Sequence, residues 1–170
     1  MAALTDIFPL EEFRILGPIG KGEFGKVHRA TWRDGNVDIA LKHIEASQGD
    51  VKLAAEQDGV RLQTLVWQYH PDIVPRVYRH GTAANGDYFI AMEFVRGESL
   101  HDILRRKRLS AAEAIRLTTV VAGFLQRMHA FLPPILHSDL KPEHVPVLKK
   151  ISTLTRVNEK AAAEAFAGSR

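Results

Sequence analysis

The sequence contains no cysteine among its 170 residues. This absence excludes disulfides, thiolate metal sites and a cysteine nucleophile. A long hydrophobic run is also missing, since the longest largely apolar stretch, Leu117 to Leu125, is bounded by arginines, and a bilayer-spanning helix needs about 20 apolar residues. Residues 1–13 carry no basic segment followed by an apolar one, so they do not predict a signal peptide. We therefore expect a cytoplasmic protein with no membrane partner.

A strong excess of charge of either sign is likewise absent, because the net charge is only +3. The apolar and charged fractions, 45% and 25%, are ordinary for a soluble globular domain, so disorder is not indicated. The basic run at 105–108 is more typical of the solvated end of a helix, where cations favour the helix dipole, than of a nucleic-acid site. We therefore expect no nucleic-acid partner.

The first hundred residues have the alternation of β-strands. The predicted strands cover 13–19, 26–32, 37–44, 76–82 and 88–95. One helix is predicted between them, over 53–67, with Leu53, Val60, Leu65 and its alanines sharing a buried stripe.

The rest of the chain has helical patterns. A short helix is predicted over 99–108, and a longer helix follows Ser110, which forms a capping box with Glu113. Proline lacks the amide hydrogen that a helix needs, so we expect the longer helix to end at Pro133. The alanine-rich segment 160–167 favours a further local helix.

A glycine-rich segment separates the first two predicted strands. Gly20, Gly22 and Gly25 follow the pattern G-x-G-x-x-G, in which missing side chains let the backbone approach a phosphate. A dinucleotide-binding turn or a Walker loop would lead into a helix, whereas a strand pattern follows here. A Walker loop would also carry a hydroxyl in the place of Val27. A glycine-rich hairpin without a ligand stays open at this point.

The next strand carries Ile39-Ala-Leu-Lys42. The period of two places Ala40 and Lys42 on one face of the sheet. A small residue there suits a flat base, and an ammonium group suits phosphates. The presence of Ala40 and Lys42 on one face, after the glycine-rich segment, favours a nucleotide site over a glycine-rich hairpin without a ligand.

His137-Ser-Asp-Leu-Lys-Pro-Glu-His144 resembles the catalytic loop H-R-D-L-K-P-E-N of protein kinases. With the glycine-rich loop and a strand similar to V-A-I-K before it, the chain resembles a eukaryotic-type serine/threonine protein kinase domain. The resemblance implies an α+β fold, with an antiparallel five-stranded N-lobe and the first helices of a helical C-lobe. The implied domain covers 13–170, as an N-lobe with the ATP loop (13–95), a hinge exit with two helices and the catalytic loop (96–148), and a tail without family resemblance (149–170).

This resemblance implies ATP-dependent phosphoryl transfer to serine or threonine hydroxyls of a protein substrate, with ATP in the cleft under the glycine-rich loop. Met92 takes the gatekeeper position, and backbone groups of Glu93 and Val95 would bind adenine. In the family a helix glutamate pairs with the strand lysine; Glu56 is the candidate, with Glu45 and Asp58 as alternatives. The implied ATP-binding residues are Ile19, Gly20, Lys21, Gly22, Glu23, Phe24, Gly25, Val27, Ala40, Lys42, Glu56, Met92, Glu93 and Val95.

The resemblance also implies two catalytic residues. Asp139 would accept or orient the proton of the substrate hydroxyl, and Lys141 would offset charge on the transferred phosphoryl group. A lysine two residues after the aspartate is typical of serine/threonine kinases.

Three positions depart from the family pattern. Ser138 replaces an arginine that docks a phosphorylated activation loop, so that switch is not expected. His144 replaces the asparagine that binds Mg²⁺, a cation that prefers oxygen ligands. No aspartate follows Asp139, so the D-F-G motif is absent. The family uses Mg²⁺, but the sequence predicts no metal ligands here.

These departures predict an incomplete kinase domain that ends before D-F-G and has little catalytic activity. The alternative is a catalytically inactive nucleotide-binding or regulatory pseudokinase fragment. A small-molecule phosphotransferase of related fold fits less well, because Leu140-Lys-Pro142 matches the protein-kinase loop. An apolar face of the long helix would then lack partners, which predicts marginal stability or association.

Overall fold

The computed structural model describes residues 7–22, 25–33, 35 and 37–147. The alanine-rich segment 160–167, for which a helix is predicted, lies outside these residues. The chain divides into two compact units, the first ending at Val95 and the second beginning at Arg96. Within the described ranges, no helix is both long enough and apolar enough to cross a membrane.

The first unit contains one antiparallel sheet. Its strands are β1 (Phe13–Gly22), β2 (Gly25–Trp32), β3 (Val37–Ile44), β4 (Val77–Thr82) and β5 (Tyr88–Glu93). The strand order is β1-β2-β3-β5-β4, and every neighbouring pair is antiparallel. The predicted five-stranded sheet is confirmed, and the observed strands depart from the predicted bounds only at their ends.

The two faces of the sheet carry separate hydrophobic clusters. On one face Ile39 and Leu41, both fully buried, pack with Phe89 and with Phe8, which precedes the sheet. The other face lies under helix α1 (Asp50–Tyr69). The buried residues of that second cluster are Ile44, Val60, Tyr88 and Ile90. Because successive side chains of a strand alternate, the face of Ile44 is also the face of Ala40 and Lys42.

Helix α1 is longer than predicted and continues through Gly59. Val60 and Val66 are its buried residues, and Leu53 packs partly buried against the cluster beneath it. The predicted stripe was wrong at Leu65, which is 38% exposed, and at the exposed Ala54 and Ala55. Leu65 follows Val60 by five residues, which places it roughly 140° around a helix of 3.6 residues per turn.

In its described part, the second unit holds two α-helices, α2 (Leu100–Arg106) and α3 (Ala111–His129), and a pair of two-residue strands, β6 (Glu98–Ser99) and β7 (Pro146–Val147). Ser99 caps α2 by accepting a hydrogen bond from the Asp102 amide. The capping box predicted for α3 is present in both directions between Ser110 and Glu113.

Helix α3 ends at His129, before the prolines that were expected to end it. The Ile135 amide donates to the Met128 carbonyl at 3.1 Å, so the chain turns back onto the last helical turn. Both side chains are buried. The prediction that Pro133 ends the helix was therefore wrong, because this reversal ends the helix first.

Candidate active site

The glycine-rich segment forms the hairpin between β1 and β2. Gly20 lies opposite Val27, and Gly22 opposite Gly25. A Cβ atom at Gly20 would meet nothing within 4 Å, whereas one at Gly25 would lie 2.3 Å from the carbonyl oxygen of His43 in β3. The packing of β2 against β3 therefore requires a glycine at Gly25, whereas a side chain in the place of Gly20 would have room. The tip residues Glu23 and Phe24, and the side chain of Lys21, fall outside the described parts.

Lys42 lies in the central strand β3 and pairs with a carboxylate from α1. Its Nζ atom is 2.5 Å from Oε1 of Glu56, and the two side chains are 21% and 11% exposed. Glu56 precedes the buried Val60 by one helical turn, so packing of α1 on the sheet turns both toward β3. The alternative partners are engaged elsewhere, Glu45 with Lys26 at 2.9 Å and Asp58 with Arg61 at 3.2 Å.

Other residues expected to bind ATP lie near Lys42 along the sheet. Ala40 is buried and lies opposite Met92, and Val27 lies opposite Lys42. The Glu93 amide donates to the Arg76 carbonyl at 2.8 Å. Of the two backbone groups of Glu93, only the carbonyl, an acceptor, would therefore be available to hydrogen-bond adenine. Two further residues of the expected ATP site are Ile19, which is about half exposed on β1, and Val95, which ends the first unit.

In the second unit, residues 137–144 form a loop that folds back on Asp139. The Asp139 amide donates to the His137 carbonyl at 2.7 Å, while Lys141 Nζ lies 3.0 Å from Asp139 Oδ2. His144 Nδ1 lies 2.9 Å from the Asp139 carbonyl oxygen; since a carbonyl only accepts, this nitrogen carries the hydrogen. Ser138 has a φ of +57°, in the left-handed region that costs a non-glycine residue energy.

Two titrating groups of this loop have shifted pKa values. The hydrogen bond from Lys141 holds the pKa of Asp139 below its ordinary value, and the charges of Lys141 and His144 add to this effect. Burial lowers the pKa of His137, whose ring meets the edge of Phe124 at 5.8 Å. At neutral pH Asp139 is therefore an ionised hydrogen-bond acceptor, and His137 is an uncharged packing residue.

The loop does not fit a magnesium ion. Mg²⁺ takes a nearly octahedral set of oxygen ligands, and the residue in the family's asparagine position is His144, whose Nδ1 is already bonded to Asp139. Throughout the described ranges, no group of three or more His, Cys, Asp or Glu side chains could hold a metal ion.

Two contacts that hold this loop were missed by sequence reasoning. His101 on α2 places Nδ1 3.1 Å from Glu143 Oε1, and the Leu100 amide donates to the Val145 carbonyl at 2.9 Å. They join residues distant in sequence, and no local pattern indicates such pairs. They anchor the end of the 137–144 loop to α2.

A family model described as "Protein kinase domain" matches residues 13–152. The chain belongs to this family. The predicted family and α+β fold class are therefore confirmed. Mitogen-activated protein kinase kinase kinase 10 of Mus musculus is 28% identical over 149 residues, which are 87% of this chain and 16% of that protein. The serine/threonine-protein kinase VIK of Arabidopsis thaliana is 28% identical over 156 residues, 91% of this chain and 35% of the relative.

A bacterial kinase is also similar to this chain. The serine/threonine-protein kinase pkn3 of Myxococcus xanthus is 32% identical over 141 residues, 80% of this chain and 24% of that protein. This kinase domain thus spans well under two thirds of each of these relatives.

Proposed function

We propose that this chain binds ATP and acts in phosphoryl transfer from ATP to serine or threonine hydroxyls of a protein substrate. The ion pair between Lys42 and Glu56 carries the proposal. Removing two charges from water is costly, and apolar residues of similar size often stabilise a fold at least as well. A mostly buried ammonium in the central strand is therefore better explained by recognition of an anion than by stability.

The residues of the first unit fit ATP. Lys42, held by Glu56, would bind its phosphates, and the backbone of the glycine-rich hairpin would lie over them. Around adenine, Ala40 leaves room for a flat ring, and the Glu93 carbonyl would accept a hydrogen bond from the base. The other residues proposed to contact ATP are Ile19, Gly20, Lys21, Gly22, Glu23, Phe24, Gly25, Val27, Met92 and Val95.

The second unit supplies the proposed catalytic residues. Asp139 would accept a hydrogen bond from the substrate hydroxyl and orient its oxygen toward the phosphorus. A new bond forms between that oxygen and phosphorus, the bond from phosphorus to the departing ADP oxygen breaks, and the hydroxyl proton leaves by way of Asp139. A lowered pKa suits orientation more than strong basicity. Lys141, now paired with Asp139, would offset charge on the transferred group.

A second candidate function is nucleotide binding without turnover. In this family Mg²⁺ neutralises charge between the phosphates, and the residues around Asp139 do not fit that ion. Nδ1 of His144 is bonded to the Asp139 carbonyl, and no aspartate follows Asp139 in the sequence. The two candidates share the ATP site and differ only in catalysis.

Binding and catalysis can be tested separately. We expect ATP to raise the melting temperature of the chain, and Lys42→Ala to abolish this shift. Lys26→Ala is the matched control, because it removes an exposed lysine of β2 that pairs with Glu45, the residue that follows β3. A wild-type chain that millimolar ATP does not stabilise, with or without Mg²⁺, would contradict both candidates.

Turnover is measured as transfer of labelled phosphate to a generic acceptor protein. Transfer that Asp139→Ala abolishes would support the kinase. ATP binding that needs no metal and yields no transfer would support the second candidate.

A further inference from the structure

Arg29 places a positive charge on the sheet face of Ala40 and Lys42, and the proposed function gives it no role. In the pairing of β2 with β3, Arg29 lies opposite Ala40, just as Val27 lies opposite Lys42. Directly opposed residues of neighbouring strands point to the same face of a sheet, so Arg29 shares the face of Ala40 and Lys42. It lies two residues, about 7 Å, beyond Val27 along β2, at the end of the site that is proposed for adenine.

Two contacts hold the guanidinium group of Arg29. Its Nη2 atom donates to Oδ2 of Asp38 at 2.9 Å, and the two side chains are 42% and 24% exposed. The central carbon of the guanidinium lies over the ring of Phe94, 5.0 Å from the ring centre. A cation is attracted to an aromatic face within about 6 Å. Arg29 therefore joins β2 and β3 to the chain that follows β5.

The stability of the first unit does not explain an arginine at this position. The Nε atom of Arg29 is buried, and no hydrogen-bond partner for it lies among the described residues. A buried donor without an acceptor costs free energy, which an apolar side chain of similar size would avoid. The arginine is better explained by what its guanidinium group holds in place.

Phe94 lies between Glu93 and Val95, the two residues whose backbone groups are proposed to bind adenine. Because β5 ends at Glu93, no strand pairing fixes Phe94 or Val95 in the part of the chain that the structure describes. Glu93 itself is fixed, since its amide donates to the Arg76 carbonyl at 2.8 Å. The contact of Phe94 with Arg29 holds the segment just beyond the point at which the sheet ends.

We propose that Arg29 is a positioning residue for the base of ATP. Oriented by Asp38, it holds Phe94 and thereby fixes the backbone of residues 93–95 before the nucleotide binds. Prior ordering of a binding segment reduces the entropy that is lost on binding, so the affinity rises without a new contact to the ligand. The inference rests on the proposed ATP site and adds to it a residue that acts through Phe94.

A double-mutant cycle of the ATP affinity, measured by isothermal titration calorimetry on the full chain, tests this role. Arg29→Leu removes the cation and Phe94→Leu removes the ring. We expect each substitution to raise the Kd for ATP about fivefold, the scale of a partly exposed contact between a cation and a ring. The double variant should bind as well as either single variant, because both substitutions remove the same contact. An unchanged Kd in Arg29→Leu, or losses that multiply to about 25-fold, would overturn the proposal.

Selectivity for the base distinguishes positioning from a general loss of structure. Inorganic tripolyphosphate lacks the base, so its binding would depend on Lys42 and the glycine-rich hairpin, and Arg29→Leu should leave it unchanged. Equal weakening of ATP and tripolyphosphate binding would contradict a role at residues 93–95. Arg33→Leu is the matched control, because the Arg33 guanidinium lies over the Trp32 ring at 4.3 Å, at the end of β2 away from the hairpin, and its loss should not change the ATP affinity.

The order of the segment is measured separately, in the nucleotide-free chain, as the heteronuclear ¹⁵N NOE of the Phe94 and Val95 amides. We expect these values to fall in Arg29→Leu and to stay unchanged in Arg33→Leu, and unchanged values in both would overturn the proposal. ATP binding that Arg29→Leu leaves intact would refute only the role of Arg29. A wild-type chain that binds no ATP would refute the proposed function, and the NOE would still decide whether Arg29 holds residues 93–95.

Discussion

The Lys42–Glu56 pair is the residue-scale feature on which the proposed function depends most. Its side chains are 21% and 11% exposed, unlike those of the Arg61–Asp58 pair, which are 77% and 69% exposed. Exposed pairs contribute little because water screens them, whereas breaking a shielded pair leaves one charge without a partner. The two pairs, which both lie in the first unit, therefore allow a direct comparison.

We expect Glu56→Gln to lower the free energy of unfolding of the first unit by about 1–3 kcal/mol, less than for a fully buried pair. Denaturant unfolding followed by tryptophan fluorescence measures this, because Trp32 and Trp67 both lie in that unit. Asp58→Asn is the control and should cost under about 0.5 kcal/mol. Equal losses in the two variants would mean that Lys42 is as well solvated as Arg61.

At the scale of elements, the start of α3 is held by its capping box and by a charge from the preceding loop. Lys107, the amide of Ser110 and the hydroxyl of Ser110 all donate to the Glu113 carboxylate. These contacts, with Lys107 the largest, lower the pKa of Glu113 from 4.5 to about 2. The carboxylate is therefore tied to the ionised form in the folded helix.

A lowered folded-state pKa gives a defined pH dependence. The stabilisation by Glu113 is complete above pH 4.5 and is lost as the pH falls from 4.5 to about 2. We expect Glu113→Gln, which can still cap the helix but cannot titrate, to lose helical circular dichroism less steeply across this window. The NMR titration of Glu113 should shift toward 4.5 in Lys107→Ala. A wild-type midpoint near 4.5 would contradict the contacts at this helix start.

At the scale of the whole molecule, large apolar side chains stay in contact with water along and after α3. Ile115 is 66% exposed and Leu132 is 97% exposed. Val120 and Leu136 are also exposed large hydrophobics. Exposed apolar surface of this kind favours association over a stable monomer.

We expect the mass measured by light scattering after size exclusion to rise with protein concentration, and the thermal transition to be broad. The double substitution Ile115→Lys and Leu132→Lys should reduce the association. Val51→Lys is the control, because the exposure of Val51, 85%, lies between those of Ile115 and Leu132, but Val51 is on α1 of the first unit. A sharp, cooperative transition of a monomer at all concentrations would contradict the prediction.

Local patterns in the sequence were sufficient to predict the family, the five strands and the capping box of α3. These features depend on residues close together in the chain, such as alternation in β3 or the spacing of Ser110 and Glu113. The motifs around Lys42 and Asp139 likewise single out those positions, although their catalytic and binding roles remain proposals.

Only the tertiary structure decided which partners these residues have. Glu45, Glu56 and Asp58 were all candidates for Lys42, and the packing of α1 on the sheet selected Glu56. The sequence treats Gly20 and Gly25 alike, but only Gly25 meets the backbone of β3. Local sequence sets the period and ends of each element, whereas the contacts between elements depend on how distant segments fill one core.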